Sequence, residues 1–362
     1  MKHQINGELV VLARELRRLT QKDLSEKSGI GQGTVAKVEG GTSKAVSEKI
    51  LNSIASALSF PVSFFQLSAD NLSFGSSNYF YRKKAKISAA ERKYINSVVN
   101  ITRINIDKML SHVDFSHSIQ LPTIDIDEYG SAADIANVVR AKWKIPDGPI
   151  RNLTHLVEKA GILIVPCDFK CEYMDATSLN LNNSMPMVFI NKNMPGDRWR
   201  HTLAHELGHL IMHDSHTETM ENEADLFASE LLAPVDDIAA QLRPVGKIQL
   251  NDLVKLKPFW KVSIASLIMR AEHAGLLTPN QKKYLWVMRS KHGWNKKEPE
   301  EIALESPRGH KSLIGNYFDN LGYTLDDLAK TLSVPVDVLV ELHGGSIDLP
   351  EPPREVKLRV VG

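Results

Sequence analysis

The 362-residue sequence has very little cysteine, since Cys167 and Cys171 are its only two. A framework of disulfides is therefore excluded, and two thiols fit a reducing compartment such as the cytoplasm of a bacterium, or of the host of a phage or mobile element. The spacing CDFKC is a poor metal-binding pattern without further cysteines, so we expect both residues to serve in packing.

Long apolar runs and a strong net charge are also missing. No stretch approaches the roughly 20 apolar residues of a membrane span, and no long apolar run follows Lys2. We expect neither a membrane anchor nor a secretion signal. With 44 basic and 43 acidic residues, the chain is not expected to bind polyanions through its overall charge. Positive charge is local, because residues 82–93 carry six Lys and Arg against one Glu.

The length and the hydrophobic periodicity predict a multidomain, mostly α-helical protein. We divide it into four segments. Residues 1–66 are expected to form a five-helix domain, 67–130 a linker and helical connector, 131–295 an α+β domain with a small sheet, and 296–362 a helical module. Within the connector, a Ser/Asn/Gly-rich stretch precedes a long helix from about Ser88. The basic start of this helix would contact phosphate or form an ordinary solvated face.

The first segment contains a helix-turn-helix pattern. Thr20 is the predicted N-cap of a helix that runs to about residue 27, and a tight turn follows at 28–29. The next helix covers about residues 32–39 and ends at the two glycines 40–41. Val35 and Val38 would face the core.

This pattern resembles the XRE family of phage-repressor-like DNA-binding domains over residues 5–66. The resemblance implies that the second helix of the motif lies in the major groove of an operator. It implies DNA contacts by Gln21 near a phosphate, and by the outward-facing Gln32, Gly33, Thr34 and Lys37. Such DNA readers usually bind paired half-sites, so a homodimer is expected. Gly31 stands where the family often has a capping Ser or Thr, and Gly33 has no side chain, so base specificity is expected to be thin. The alternative is a small helical module used for packing or dimerisation.

The C-terminal segment repeats this pattern. Residues 324–345 have the same length and apolar positions as residues 20–41, and both stretches end in Gly-Gly. Asp337 and Glu341 replace the polar and basic surface and would repel phosphate, so we expect this module to pack or to contact a partner. The tail 356–361 alternates as an edge strand does.

The stretch 198–213, RWRHTLAHELGHLIMH, carries an HExxH motif in an amphipathic helical pattern. His205 and His209 are four residues apart and project from one face, where a single Zn²⁺ can bind both. Glu206 projects a quarter-turn away, where a general base for a water molecule belongs. The alternative is a core helix that happens to carry two histidines.

A β-run at 187–190 precedes this helix, and its edge is predicted to hold an extended peptide. A catalytic zinc needs a third protein ligand, and the helix at 221–232 offers several acids. Helical phase groups Glu221 with Asp225 and with alanines, whereas Glu223 turns with Glu230 toward solvent. Glu221 is therefore the preferred ligand, and Asp225 is well placed to hold a ligand histidine. Glu223 as the ligand, or an acid-rich surface helix without a metal, are the alternatives.

The run from Asp175 through MVFIN and RHTLAHELGHLIMH to ENEADLFASELLAP is similar to the ImmA/IrrE-type metallopeptidases, over about residues 131–290. That family is gluzincin-like. The resemblance implies a Zn²⁺ cofactor with His205, His209 and Glu221 as ligands and Glu206 as the base. His213 also follows the family pattern, and we expect it to support the ligands or to belong to the core. Arg198 and Arg200, which precede the helix, are expected to form ion pairs.

Members of that family act on DNA-binding repressors, and several pair with or are fused to an XRE domain. The resulting hypothesis is a DNA-binding zinc endopeptidase that regulates transcription by cleaving a repressor or antitoxin. The first alternative is an XRE-type regulator whose peptidase-like domain senses or scaffolds without cutting. The second is one half of a toxin–antitoxin or phage-defence pair.

Overall fold

A computed structural model describes residues 2–67, 87–111, 119–180, 185–213, 217–243 and 247–347. These ranges are mostly α-helical and contain two small sheets. None of the helices in them is long and apolar enough to cross a bilayer. Most of the predicted linker and the predicted strand at 356–361 lie outside the described residues.

The N-terminal domain has the five predicted helical segments, the last of which is a 3-10 helix. They are α1 (Gly7–Leu16), α2 (Gln21–Ser28), α3 (Gln32–Glu39), α4 (Glu48–Leu58) and Val62–Gln66. Thr20 forms a capping box with Asp23, and Gly29 takes the left-handed conformation (φ 68°) that ends α2, as expected for a Gly at this place. Two short strands that we did not predict, β1 (Lys2–Gln4) and β2 (Ala45–Ser47), pair antiparallel.

The connector helix α5 (Ala89–Leu110) begins where the sequence predicts, with Ser88 and Glu91 in a capping box. Apolar residues along its length are buried, including Tyr94, Ile95 and Met109. It packs on α1 and on the C-terminal module, so it lies between them.

The α+β unit begins with α6 (Ile126–Tyr129), α7 (Ala132–Lys142) and α8 (Leu153–Lys159). Its strands are β3 (Leu163–Cys167), β4 (Ala176–Leu179) and β5 (Met187–Asn191), of which β4 was not predicted. Their order is β3-β5-β4, with β5 parallel to β3 and antiparallel to β4. The strand at 187–190 is therefore central, and the prediction that its edge holds a peptide is wrong. Both of its edges are already occupied by ladder hydrogen bonds.

Helices complete the unit. They are α9 (Gly196–Met212), α10 (Met220–Leu232), α11 (Val235–Ile238), α12 (Leu250–Trp260), α13 (Ile264–His273) and α14 (Pro279–Lys291). Arg198 and Arg200 form ion pairs with Asp175 and Glu305, as expected. Both cysteines are free and buried.

The C-terminal module contains α15 (Gly309–Gly315), a π-helical turn (Asn316–Asn320), α16 (Leu325–Leu332) and α17 (Val336–His343). The internal repeat is confirmed in its local structure. Thr324 and Asp327 form the same capping box as Thr20 and Asp23, and Ser333 is left-handed (φ 61°) where Gly29 is.

Two acids on the outer face of this module contact other segments of the chain. Asp337 binds Arg17 at 2.6 Å, and Glu341 accepts a hydrogen bond of 2.9 Å from the Tyr94 hydroxyl. These contacts agree with the expected packing or partner contact, and the absence of DNA reading by this module stays a prediction.

The three-stranded sheet separates two hydrophobic cores. One face, with Leu163, Val165 and Phe189, packs into a core shared by the N-terminal domain, α5 and the C-terminal module. The opposite face, with Ile164, Val188 and Ile190, packs into the core of the α+β unit. The alternation of side chains along a strand thus places two distant segments of the chain against one small sheet.

A chain of buried polar groups joins the C-terminal module to α5. His343 bonds Asn105 at 3.1 Å and His310 at 3.0 Å, and His310 bonds Ser346 at 2.8 Å. Burial lowers the pKa of His310 to about 4, and burial together with the charge of His310 lowers the pKa of His343 well below its ordinary value.

We predict that acid destabilises this module. Because the folded pKa of His310 is lowered, its contribution to stability is complete above about pH 6.5 and is lost as the pH falls toward 4. For His310 the loss at pH 5 is about 2 kcal/mol of the free energy of unfolding. Urea titrations at pH 7 and pH 5 would measure it. His310→Gln should reduce the difference, and the exposed His155→Gln should leave it unchanged. Equal differences in all three proteins would contradict the prediction.

Candidate metal centre

Helices α9 and α10 lie close together because α9 has a glycine at their contact. A Cβ added at Gly208 would lie 3.0 Å from a ring carbon of Phe227 and 3.4 Å from the Cα of Ala224. A Cβ at this position would require the Phe227 ring to move by a few tenths of an ångström. This close approach brings the first turn of α10 beside the histidines of α9.

Three predicted ligands come together at this contact. The Nε2 atoms of His205 and His209 are 3.0 Å apart, and carboxylate oxygens of Glu221 lie 3.7 and 3.6 Å from them. All three donor atoms lie within 4.8 Å of one another. His209 is buried, whereas Glu221 is 32% exposed because it faces a cavity.

Each histidine is held through its second ring nitrogen. His205 Nδ1 lies 2.7 Å from Asp225, and His209 Nδ1 lies 2.9 Å from His213 Nδ1. His213 in turn bonds Glu223 at 2.9 Å. Such contacts fix ring orientation and raise the basicity of a ligand histidine. Asp225 and His213 therefore lie where supporting residues are expected.

The pKa values of these histidines follow from burial and from neighbouring acids. Burial lowers the pKa of His205, but the hydrogen bond to Asp225 and the charges of Glu206, Asp225 and Glu221 outweigh it, so the pKa is raised. Burial lowers the pKa of His213 more than Glu223 raises it. The ionic neighbours therefore act mainly on His205.

The acids of α10 differ in their partners. Glu223 is bonded to His213 and is not in the cluster of donor atoms, which favours Glu221 as the ligand. The assignment of Glu230 to the solvent side, which came from helical phase, is wrong. Glu230 is buried and forms an ion pair with Arg270, although its phase placed it toward solvent. A cation from α13, which periodicity within α10 does not reveal, makes this burial possible.

Glu206 and the three donor residues line a cavity of about 240 Å³. The strand that borders this cavity is β4, through Ala176, and Met174 and Asp175, which come just before the strand, also line it. His201, which the sequence analysis missed, also lines it, one turn before His205 on the same face of α9. Histidines recur every four residues at 201, 205, 209 and 213, and this spacing in the sequence is the signal that would have identified His201.

The donor set fits zinc. Bonds of about 2.0–2.2 Å to a tetrahedral ion place neighbouring ligand atoms roughly 3.4 Å apart, close to the distances between these three donors. Two imidazole nitrogens and one carboxylate leave a fourth position open, as in catalytic zinc sites. The held second nitrogens are a further feature of such sites.

The predicted DNA-reading face is formed as the sequence indicates. Gln32, Gly33 and Lys37 are exposed, Thr34 is half-buried, and Gly31 provides no side-chain cap to α3. Gln21 is half-buried, and its amide donates to Glu39 at 2.9 Å; Glu39 also binds Arg14. The DNA contacts themselves stay predictions.

Two family models match the chain. Residues 157–272 match a peptidase family whose model is described as the IrrE N-terminal-like domain, and residues 12–65 match the helix-turn-helix model. Both agree with the resemblances drawn from the sequence. No curated protein matches the chain.

Metal affinity should rank the acids of α10. We predict that Glu221→Gln weakens Zn²⁺ binding most, because it removes a ligand, and that Asp225→Asn weakens it about 10- to 100-fold by releasing His205. Glu223→Gln should have the smallest effect, because Glu223 acts only through His213. Competition with a chromogenic chelator measures the affinities, with circular dichroism to check folding. A larger loss for Glu223→Gln than for Glu221→Gln would make Glu223 the ligand.

Proposed function

We propose that this chain, which joins an XRE-type helix-turn-helix domain to an IrrE/ImmA-like peptidase domain, is a zinc-dependent endopeptidase that binds DNA and regulates transcription. The observation that carries the proposal is the convergence of His205, His209 and Glu221 beside Glu206 in one cavity. His205, His209 and Glu221 would hold a Zn²⁺ there, which would lower the pKa of a water molecule and polarise a carbonyl group.

The protein supplies the proton transfers. The Glu206 carboxylate accepts a proton from the attacking water while the water oxygen bonds to the scissile carbonyl carbon. Glu206 then gives this proton to the amine nitrogen as the C–N bond breaks. Asp225 and His213 keep the two ligand imidazoles in place and undergo no net change.

The substrate backbone would lie along β4, which replaces β5 in this role. Asn191 N–H donates to the Asp175 carbonyl at 2.7 Å, and Ala176 stands opposite Ile190. Alternation in an antiparallel ladder then turns the N–H and C=O groups of Ala176 away from β5. Ala176 lines the metal cavity, so these groups are placed to pair with an extended peptide.

The substrate we propose is a repressor or antitoxin protein of the same locus. The reason is the union of a DNA reader and a peptidase centre in one chain, which would bring the cutting site to operator-bound proteins. Residues 1–66 would bind the operator as part of a homodimer, through Gln21 and the exposed face of α3.

Removal of the base should abolish cleavage without removing the metal. We predict that Glu206→Gln reduces cleavage of a repressor encoded beside this gene by at least about 10²-fold while zinc content is unchanged. Electrophoresis and mass spectrometry follow the cleavage, and metal analysis gives the zinc content.

The exposed Glu48→Gln, in the N-terminal domain, is the matched control and should cleave as the parent protein does. A chelator should stop cleavage, and added zinc should restore it. Cleavage that survives Glu206→Gln would contradict the mechanism. Operator binding without turnover of any candidate substrate would instead favour a regulator with a sensing domain.

DNA binding should depend on α3. We predict that Lys37→Ala weakens binding about tenfold, because its exposed ammonium would reach the DNA. Fluorescence anisotropy can measure this with a duplex that the parent protein selects from a random-sequence pool. The exposed Lys330→Ala in α16, within the repeated module, is the control. Equal affinity of the Lys37 variant and the parent protein would exclude this contact.

A further inference from the structure

The metal cavity adjoins a larger one. Asp175, His201 and Thr202 line both the 240 Å³ cavity and a neighbouring cavity of about 800 Å³. A peptide with its scissile bond at the metal centre therefore has space on one side for several further residues. The shared residues form the junction between the two spaces.

The junction offers hydrogen-bonding groups to a peptide. His201 is half-buried, and in the described part of the chain its ring nitrogens have no hydrogen-bond partner. Its imidazole can offer one donor and one acceptor when neutral. A peptide amide that crosses from the metal centre needs both kinds of group.

The far wall of the larger cavity is formed by residues 294–298 together with Glu301 and Ile302, which lie beyond the stretch that matches the peptidase family. Glu298 anchors this wall by bonds to Lys257 Nζ (3.0 Å), Arg289 Nε (3.0 Å) and the Ile264 N–H (2.8 Å). The wall is thus held in place by hydrogen bonds to α12, α13 and α14.

The wall also touches the start of α9. A Cβ at Gly196 would lie 2.3 Å from the Ile302 carbonyl oxygen. The wall therefore packs directly on the backbone of the helix that carries the metal ligands, and the glycine permits this contact.

Charge in the larger cavity is unbalanced at its rim. Three cations that line this cavity form ion pairs. Lys257 pairs with Asp197 and Glu298, Arg289 pairs with Glu298, and Arg198 pairs with Asp175. At the rim, Lys297 is 3.8 Å from Glu301. Lys192 and Lys296 are exposed, and within the described residues neither forms an ion pair. Asp168, whose pKa Lys192 helps to lower, is itself bound to Lys170.

We propose that the larger cavity is the substrate subsite that receives an acidic residue of the cleaved protein, with Lys192 and Lys296 facing its carboxylate and His201 holding the backbone at the entrance. The inference rests on the proposed peptidase function and names the substrate class. Two free ammonium groups favour Asp or Glu over neutral side chains, and an added Lys or Arg would be repelled.

Peptide hydroxamates test the subsite without requiring turnover, since the hydroxamate binds the metal directly. We would compare pairs that carry Asp or Asn, at successive positions from the hydroxamate, by calorimetry on the zinc-loaded full chain. At one position the Asp peptide should bind about fivefold more tightly. Lys192→Glu and Lys296→Glu should each reduce or reverse that preference. Lys291→Glu, an exposed lysine that does not line the cavity, should keep it.

A second arm measures cleavage of a peptide library by mass spectrometry. Asp and Glu should be enriched at the matching position relative to the cleaved bond. Equal binding of the Asp and Asn peptides at every position would overturn the subsite, even if cleavage occurs. A preserved preference in both the Lys192 and Lys296 variants would also overturn it. An absence of cleavage with the binding preference intact would instead refute the proposed peptidase function.

Discussion

The close contact of α9 and α10 is the constraint on which the candidate site depends. Gly208 lacks a side chain where α9 meets Phe227 and Ala224 of α10. A methyl group there would crowd the Phe227 ring, so the glycine favours the close approach that places Glu221 beside the histidines. Gly208, inside the HExxH motif, therefore contributes to the short distance between α9 and α10, whereas the histidines at the ends of the motif are the candidate ligands. Buried alanines on α10 extend the same close packing.

The small sheet connects this site to the rest of the molecule. Its two faces belong to different cores, one around α9 and one around the helix-turn-helix domain, α5 and the C-terminal module. Side chains in adjacent positions of one strand, such as Ile164 and Val165, thus lie in the two cores. A displacement of the sheet by one core would also change the packing of the other core, because close-packed interiors transmit strain.

Local patterns predicted local structure well. Thr20 and Thr324 cap their helices as their sequences indicate, and the ends of α3 follow from Gly31 and Gly40. Periodicity failed where a distant group decides burial. Glu230 is inside because Arg270 meets it, and the strand at 187–190 is central because β4, rich in small residues, pairs with it. Neither partner is visible within a window of one helix or strand.

The sequence by itself determined the ligand types, their helical spacing and the two helix-turn-helix patterns, because these depend on neighbours a few residues away. Only the tertiary structure decided which acid of α10 meets the histidines, which strand borders the metal cavity and that residues 294–298, Glu301 and Ile302 line the larger cavity beside it. These features depend on contacts between residues far apart in the chain, and the geometry of such contacts is fixed by packing of whole elements. Helical phase preferred Glu221 and left Glu223 as the alternative, and the bond between Glu223 and His213 also favours Glu221.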